Sequence, residues 1–363
     1  MESASVASAA AAVGLDDLSS PLRWLAWRHP ALEAYEPRWC AGAPEHDKEA
    51  LGRARIHQVD ALVVHGCSIA AVPLAAADLF VDVLYPAGCR TVVMTGGVGR
   101  ETGALWLDVA MRGMTGLFGS SASWTRQPLH VDLPAQGLSS KPVLDGFSHD
   151  MPTEELLCYC SEADVFLEIF ICRCRDRGLE RIAFCGNPLA EAGHHAGSGA
   201  DHCCVYLETA STHGGTNVEF SRATLAKLKI DPAKAQLAVV QHPQMQRRAC
   251  LTWAKQTGRE QGSILGWTLS PVEEDVGRSS LQMLRYALGE FERIQAYSRS
   301  DKGFIDMPEG FPYAHAAALA TLDRSGLIPT DLQPGLCGRM PVKLAIGNYA
   351  ARVDSTCPSI VRT

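Results

Sequence analysis

The sequence has no apolar run that approaches the roughly 18 residues needed to span a bilayer. Its alanine-rich start also lacks the basic residues of a signal peptide and carries the acidic Glu2 instead. We therefore expect a flexible tail at the amino terminus and a soluble, cytoplasmic protein that has no membrane partner.

Positive charge is scarce, since 33 lysines and arginines stand against 40 aspartates and glutamates and leave a net charge of −7. Proteins that bind nucleic acid present a basic surface to the phosphates, so we expect no nucleic-acid partner. No internal repeat is visible. With 363 residues, 47% of them hydrophobic, the chain can bury a full core in one large domain with helical additions or in two domains.

The 13 cysteines do not follow a metal-binding pattern. Histidines and cysteines gather between His194 and His213, but their spacing is irregular and no CxxC pair accompanies them. Other cysteines, such as Cys172 and Cys185, lie within apolar segments, where free thiols pack as small hydrophobic side chains. The odd number and wide spread favour reduced thiols, and we expect no metal site.

The stretch Asp60–Gly103 predicts a βαβ unit. Strands are predicted at Ala61–Val64 and Thr91–Met94, with a helix over about Val72–Tyr85 between them and Gly88 as its left-handed end cap. Both strands are apolar on every residue, which is typical of parallel strands that are covered by helices on both faces. Ligands of such sheets gather at the carboxyl ends of the strands, where this unit carries two glycine turns.

The same alternation of strands and helices continues downstream and indicates an α/β fold with a doubly wound, mostly parallel, Rossmann-like sheet. We expect an amino-terminal tail with helices over residues 1–57, a Rossmann-like domain over 58–272, a small helical domain over 273–330 and an extension over 331–363. The last two predicted helices should pack with the amino-terminal helices. Further strands are predicted at Arg181–Cys185, Cys203–Leu207, Leu237–Val240 and Ile264–Leu269, and helices at Thr153–Arg177, Asn217–Leu228, Met245–Thr257, Leu281–Arg293 and Tyr313–Leu322.

Two glycine turns are candidate ligand-binding elements. Gly96, Gly97 and Gly99 follow a strand and precede a helix, where backbone N–H groups can approach an anion. The dinucleotide fingerprint is incomplete, because Thr102 replaces its third glycine, and a tight turn without a ligand is the alternative. The earlier turn, Gly66-Cys67-Ser68, resembles a nucleophile elbow; Ser68 would be a nucleophile, or the backbone of the turn would contact a ligand.

Three further groups of polar residues follow or precede predicted strands. Glu208 ends a strand, where α/β proteins place groups that face a ribose or a metal, so Glu208, Ser211 and Thr212 are candidate site residues. Asn217 or Thr216 would otherwise only cap the next helix. Arg248, one to two turns into a helix that follows Gln241, can hold a carboxylate or phosphate by two hydrogen bonds or can be solvated. Glu162 opens a helical segment and is a candidate cap.

The order of these segments from Asp60 to His315 resembles the YdcF-type branch of the SanA/ElyC/YdcF superfamily. The similar segments include VVHG, MTGGVG, SEADVFLEI, ETASTHGGTNVEFS and, above all, VVQHPQMQRRA. The resemblance implies a Rossmann-like sheet with a small helical carboxyl-terminal domain, a cleft between them, and binding of S-adenosylmethionine. Two positions depart from relatives: Thr216 stands where many have glutamate, and Met245 where the SanA-like branch has histidine.

We therefore expect the protein to bind S-adenosylmethionine or another nucleotide-like small molecule at the carboxyl ends of its strands. The expected function is ligand binding, with group transfer as its possible chemistry. The alternatives are a hydrolase of esters or phosphates that uses Ser68 or cleft carboxylates, and a non-catalytic regulatory protein. Glu162 and Glu208 are the candidate acids or bases. The expected ligand contacts are Gly66, Cys67, Ser68, Gly96, Gly97, Gly99, Ser211, Thr212, Asn217, Gln241 and Arg248.

Overall fold

The computed structural model describes residues 19–37, 56, 58–97, 102, 105, 108–109, 161–189, 202–271, 280–299 and 303–325. The predicted site residue Gly99, the histidines at 194 and 195 and the extension over 331–363 lie outside the described residues. The predicted boundary at residue 273 falls outside them as well, so the division into domains stays a prediction.

Six parallel strands form one sheet in the order β3-β4-β2-β1-β5-β6. The chain builds the sheet outward from β1 in one direction and then returns past β1 to add β5 and β6 on the other side. This topology confirms the predicted Rossmann-like α/β class, and all six predicted strands are present within two residues of their expected ends. The strands are β1 Ala61–His65, β2 Thr91–Thr95, β3 Ile182–Phe184, β4 Cys203–Glu208, β5 Leu237–Val240 and β6 Leu265–Trp267.

Helices cover both faces of the sheet, because successive side chains of a strand point to opposite sides. Leu62 and Val64 of β1 pack in one core with α2 and α3, while Ala61 and Val63 pack in a second core with α4 and α5. A π-helical turn at Phe80–Leu84 extends α2. The α-helices are α1 Ser19–Leu25, α2 Ala71–Leu79, α3 Glu162–Asp176, α4 Gly214–Lys227, α5 Gln246–Thr257, α6 Ser280–Arg299 and α7 Tyr313–Arg324.

Local signals explain where several helices begin and end. Ser161 caps α3 by a capping box with Asp164, so the prediction that Glu162 caps this helix is wrong by one residue. Gly88 has φ +91° after the predicted helix, as expected for a left-handed end cap, and Gly258 ends α5 in the same way with φ +67°.

The amino-terminal helix packs against the carboxyl-terminal pair, as predicted. The ring of Trp24 on α1 stacks on Phe291 of α6 with centroids 5.4 Å apart and meets the edge of Phe311, just before α7, at 5.5 Å. The aromatic side chains join these helices to the same core as α2 and α3. No helix among the described residues is long and apolar enough to cross a membrane.

The expectation that all cysteines are reduced is wrong for one pair. Cys185 and Cys204 form a disulfide that joins the end of β3 to the neighbouring strand β4. The two strands run side by side, which brings these Cα atoms within 5.5 Å of each other. Within the described part of the chain, the other cysteines form no disulfide and are buried, as expected of packing thiols: Cys67, Cys89, Cys172, Cys174, Cys203 and Cys250.

Candidate functional site

A cleft of about 150 Å³ opens at the carboxyl edge of the sheet, beside the neighbouring strands β1 and β5. This is where the strand order reverses, and ligands of doubly wound sheets bind at that point. Gly66 after β1 and Gln241 after β5 both line the cleft. Its other lining residues are Cys67, Glu162, Ser211, Thr212, His213, Gly214, Asn217, Met245, Arg248, Arg293 and Tyr297.

Most of the predicted site residues come together in this cleft. The structure also brings in five residues that the sequence did not indicate: two from the amino end of α4, one before α5 and two from α6. The resemblance described above implies a cleft between the sheet and the helical part, but no sequence signal indicated which residues of α6 line it. The eight predicted residues that line the cleft are Gly66, Cys67, Glu162, Ser211, Thr212, Asn217, Gln241 and Arg248, and the five that were missed are His213, Gly214, Met245, Arg293 and Tyr297.

The glycines at the ends of β1 and β2 make room for the side chain of Glu162. A β-carbon on Gly66 would lie 2.8 Å from Cβ of Glu162, and one on Gly96 would lie 2.9 Å from the same atom. The carboxylate of Glu162 accepts a hydrogen bond of 3.0 Å from the hydroxyl of Thr102 and is 8% exposed at the cleft surface. The turns therefore place one acidic group in the lining.

Gly97 does not line the cleft and joins the second glycine turn to the loop after β4. Its N–H donates a 2.7 Å hydrogen bond to the carbonyl of Ser211, and its own carbonyl accepts 3.1 Å from the N–H of Glu162. A β-carbon here would stand 2.5 Å from the carbonyl oxygens of Thr209 and Ser211. The backbone at Gly97 was predicted to approach a ligand; it packs instead against the neighbouring loop.

Glu208 does not reach the cleft, which corrects its predicted role toward a sugar hydroxyl. Its side chain is fully buried and accepts hydrogen bonds from Thr95 Oγ1 at 2.5 Å and from the N–H groups of Ala210 and Ser211 at 2.6 and 2.9 Å. Burial raises the pKa of this carboxyl group, and the hydrogen bonds oppose that shift. Glu208 shapes the loop that carries Ser211 and Thr212 to the cleft.

The amino end of α4 forms one wall of the cleft. His213 caps the helix, since its Nδ1 accepts from the N–H of Thr216 at 3.3 Å and the Thr216 hydroxyl bonds back to His213. The predicted cap, Thr216 or Asn217, is therefore three to four residues too late. The correct helix start places Gly214 in the lining, at the positive end of the helix dipole.

Asn217 lines the cleft one turn into α4 and is 5% exposed. Among the described residues its side-chain amide has no hydrogen-bond partner, and the amide atoms are not buried away from solvent but reach the cleft surface. The amide is therefore available to donate to, or accept from, a molecule in the cleft.

Arg248 donates two hydrogen bonds to a carboxylate of the protein. Nε and Nη2 donate to the two oxygens of Glu290 at 2.5 and 3.2 Å, so the predicted two-pronged contact with a ligand is replaced by an ion pair. Nη1 lies against Gly214, where a β-carbon would collide with it. Arg293 donates to the same Glu290 at 2.5 Å, and two guanidinium groups thus share one carboxylate.

His65 lies buried at the end of β1, behind the wall that carries Arg248. Its Nε2 accepts a hydrogen bond of 2.9 Å from the indole of Trp253, which requires the neutral ring with its proton on Nδ1. Burial, and secondarily the charge of Arg248, lower its pKa to about 3. At neutral pH, His65 is therefore uncharged and adds no second positive charge near Arg248.

The candidate nucleophile of the first turn is displaced from the cleft. Ser68 is 1% exposed and does not line the cleft, whereas its neighbour Cys67 does, with its thiol 3.8 Å from the carbonyl of Ile69.

Among the described residues, no group of three or more histidines, cysteines and acids is placed to hold a metal ion. The chain matches no known family model, and no curated protein matches it significantly.

Proposed function

We propose that the cleft binds a small molecule through an anionic group, a carboxylate or phosphate, at the amino end of α4. The observation that carries this proposal is the Asn217 amide, which reaches the cleft surface one turn into α4 and has no hydrogen-bond partner in the described part of the chain. Gly214 and Arg248 lie in the same wall. A helix amino terminus and a guanidinium group both attract anions, and the amide can donate to the same oxygen.

A nucleotide-like ligand, S-adenosylmethionine foremost, is the ligand class that we propose. The resemblance of segments such as VVQHPQMQRRA to YdcF-type proteins supports this choice. The described cleft of about 150 Å³ is smaller than the roughly 300 Å³ of a site for a whole drug-sized ligand. It fits one polar end of the molecule, and the residues present suit the amino-acid end of S-adenosylmethionine.

If the ligand reacts, Glu162 is the candidate acid or base, because it lines the cleft while Glu208 lies beneath it. A hydrolase that uses Ser68 is the weaker alternative, since that hydroxyl is buried away from the lining. We keep a cytoplasmic location as a prediction from the sequence, although the Cys185–Cys204 disulfide is more typical of oxidising compartments.

Calorimetric titration of the full chain with S-adenosylmethionine, AMP and inorganic phosphate tests the proposal. We expect at least one of these probes to bind, and Asn217→Asp to weaken that binding by about tenfold or more, because it puts a negative charge beside the anion. Asn217→Leu should also weaken binding. Since the amide has no partner in the described residues, neither variant breaks a known hydrogen bond of the fold.

Glu219→Gln on the exposed side of the same helix is the matched control and should leave binding unchanged. Absence of heat with all three probes would contradict the proposal. Binding that is equally strong in the wild type and in both Asn217 variants would show that the ligand does not use the amino end of α4.

A further inference from the structure

Arg293 lines the cleft from α6 and has hydrogen-bond donors that the described residues do not use. Its one hydrogen bond to a described residue runs from Nη1 to Glu290 at 2.5 Å, and Nε and Nη2 have no partner among these residues. The side chain is 35% exposed, and neither nitrogen is buried away from solvent. A guanidinium group whose Nε and Nη2 are available presents the edge that matches two oxygens of one anion.

Arg248 has committed the same edge to the protein. Its Nε and Nη2 donate to Glu290, and its Nη1 lies against Gly214 at the amino end of α4. One oxygen of Glu290, Oε1, accepts from Nη2 of Arg248 and from Nη1 of Arg293. The shared carboxylate therefore places the guanidinium group of Arg293 next to that of Arg248, which itself contacts the end of the helix.

A second available group lines the cleft from α4. The Asn217 amide reaches the cleft surface and has no hydrogen-bond partner within the described ranges. Asn217 is 5% exposed, so the cleft is where its amide can meet a partner. Two side chains from different helices thus offer donors to a single cleft of about 150 Å³.

We infer that Arg293 binds the anionic group of the ligand by two hydrogen bonds, from Nε and Nη2, while Asn217 donates to the same group from α4. This assignment rests on the proposed function and names a residue that selects the ligand. The shared chemistry is a pair of oxygens on one centre, which a carboxylate and a phosphate both offer. Since Arg293 belongs to α6 and Asn217 to α4, the bound anion ties the two helices together.

Calorimetric titration of the full chain with S-adenosylmethionine, AMP and inorganic phosphate tests this role in two variants. Arg293→Gln should weaken the binding of whichever probe binds by about tenfold or more. Arg293→Lys keeps the charge but lacks the two-pronged edge, so it should restore little of the lost affinity. Both variants keep the pair between Arg248 and Glu290, so the midpoint of urea unfolding should stay close to that of the wild type.

Arg299→Gln is the matched control, because it removes the same charge from an exposed position of α6, and it should leave binding unchanged. The probes also distinguish the two sources of the anion, since AMP and inorganic phosphate offer a phosphate and S-adenosylmethionine offers a carboxylate.

Hydrogen exchange tests the tie between the helices. At a saturating concentration of the bound probe, exchange of the backbone amides of α6 should slow in the wild type and in Arg299→Gln. It should stay unchanged in Arg293→Gln, although the amino end of α4 is protected in all three proteins.

Wild-type affinity in Arg293→Gln or in Arg293→Lys would overturn the two-pronged contact and leave the proposed anion site standing. Slower exchange of α6 in saturated Arg293→Gln would do the same. Absence of binding of all three probes to the wild type would overturn both the anion site and the role of Arg293.

Discussion

The side chain of Arg248 is held by Glu290, which accepts from its Nε at 2.5 Å and from its Nη2 at 3.2 Å. Glu290 is fully buried, and this ion pair ties α5 to α6 beneath the cleft. This ion pair therefore links the sheet edge to the helical carboxyl-terminal part. Arg248 lines the cleft, but its orientation depends on Glu290, which does not.

Glu290→Gln should destabilise the fold, because it leaves two guanidinium groups without their shared charge. Removing one partner of a buried pair costs about 3 kcal/mol, which urea unfolding would measure. Asp323→Asn, which breaks the partly exposed pair with Arg285 between α6 and α7, is the control and should cost less than about 1 kcal/mol. Equal losses in the two variants would contradict a special role for Glu290.

Gly214→Ala should impair both binding and folding. Its new β-carbon would collide with Nη1 of Arg248, and this guanidinium group can move aside only by disturbing its buried ion pair with Glu290. We expect the affinity for whichever anionic probe binds to fall about tenfold and the free energy of unfolding to fall by about 2 kcal/mol. Gly262→Ala, where a β-carbon meets nothing within 4 Å, should change neither quantity.

Gly97→Ala should damage the fold. Its β-carbon would lie 2.5 Å from two backbone carbonyl oxygens, which cannot turn aside as a side chain can. We expect a loss of about 3 kcal/mol by chemical unfolding. Gly88→Ala has no such collision and only an unfavourable φ of +91°, so it should cost about 1 kcal/mol. The reverse order of the two losses would refute this account of the glycine turn.

His65 should make the fold sensitive to acid. Its pKa is about 3 in the folded chain, against 6.5 for an ordinary histidine, so between these pH values the unfolded chain binds a proton that the folded chain does not. Stability from this group is therefore complete above pH 6.5 and is lost as the pH falls toward 3. The wild type should lose about 2 kcal/mol more than His65→Gln between about pH 7 and pH 5.

Urea unfolding at the two pH values measures this difference. His202→Gln, at an exposed position before β4, is the control and should follow the wild type. If His65→Gln and the wild type lose the same stability on acidification, the buried neutral histidine is not the cause.

Much of the fold was readable because parallel strands leave a strong signal. Strands such as Ala61–His65 and Leu237–Val240 are buried along their whole length and are therefore apolar on every residue. Turn residues such as Gly88 marked helix ends. The start of α4 was misplaced because its cap is a histidine, His213, which is not among the residues that usually cap helices.

The site was predicted less well because distant contacts decide which polar groups face a ligand. Glu208 looked like a ligand contact at a strand end, but the sequence does not show that Thr95 and the following loop would enclose it. Similarly, Arg293 and Tyr297 enter the cleft only because α6 folds back over the sheet edge. The position of a residue at a strand end predicts its neighbourhood, whereas its partners come from tertiary packing.

The central claim is that an anionic group binds at the amino end of α4, and a crystal structure of the full chain with bound S-adenosylmethionine tests it most directly. We predict the carboxylate of the ligand within hydrogen-bond distance of the Asn217 amide and beside Arg248. A ligand bound elsewhere, with the Asn217 amide contacting only solvent, would contradict the claim.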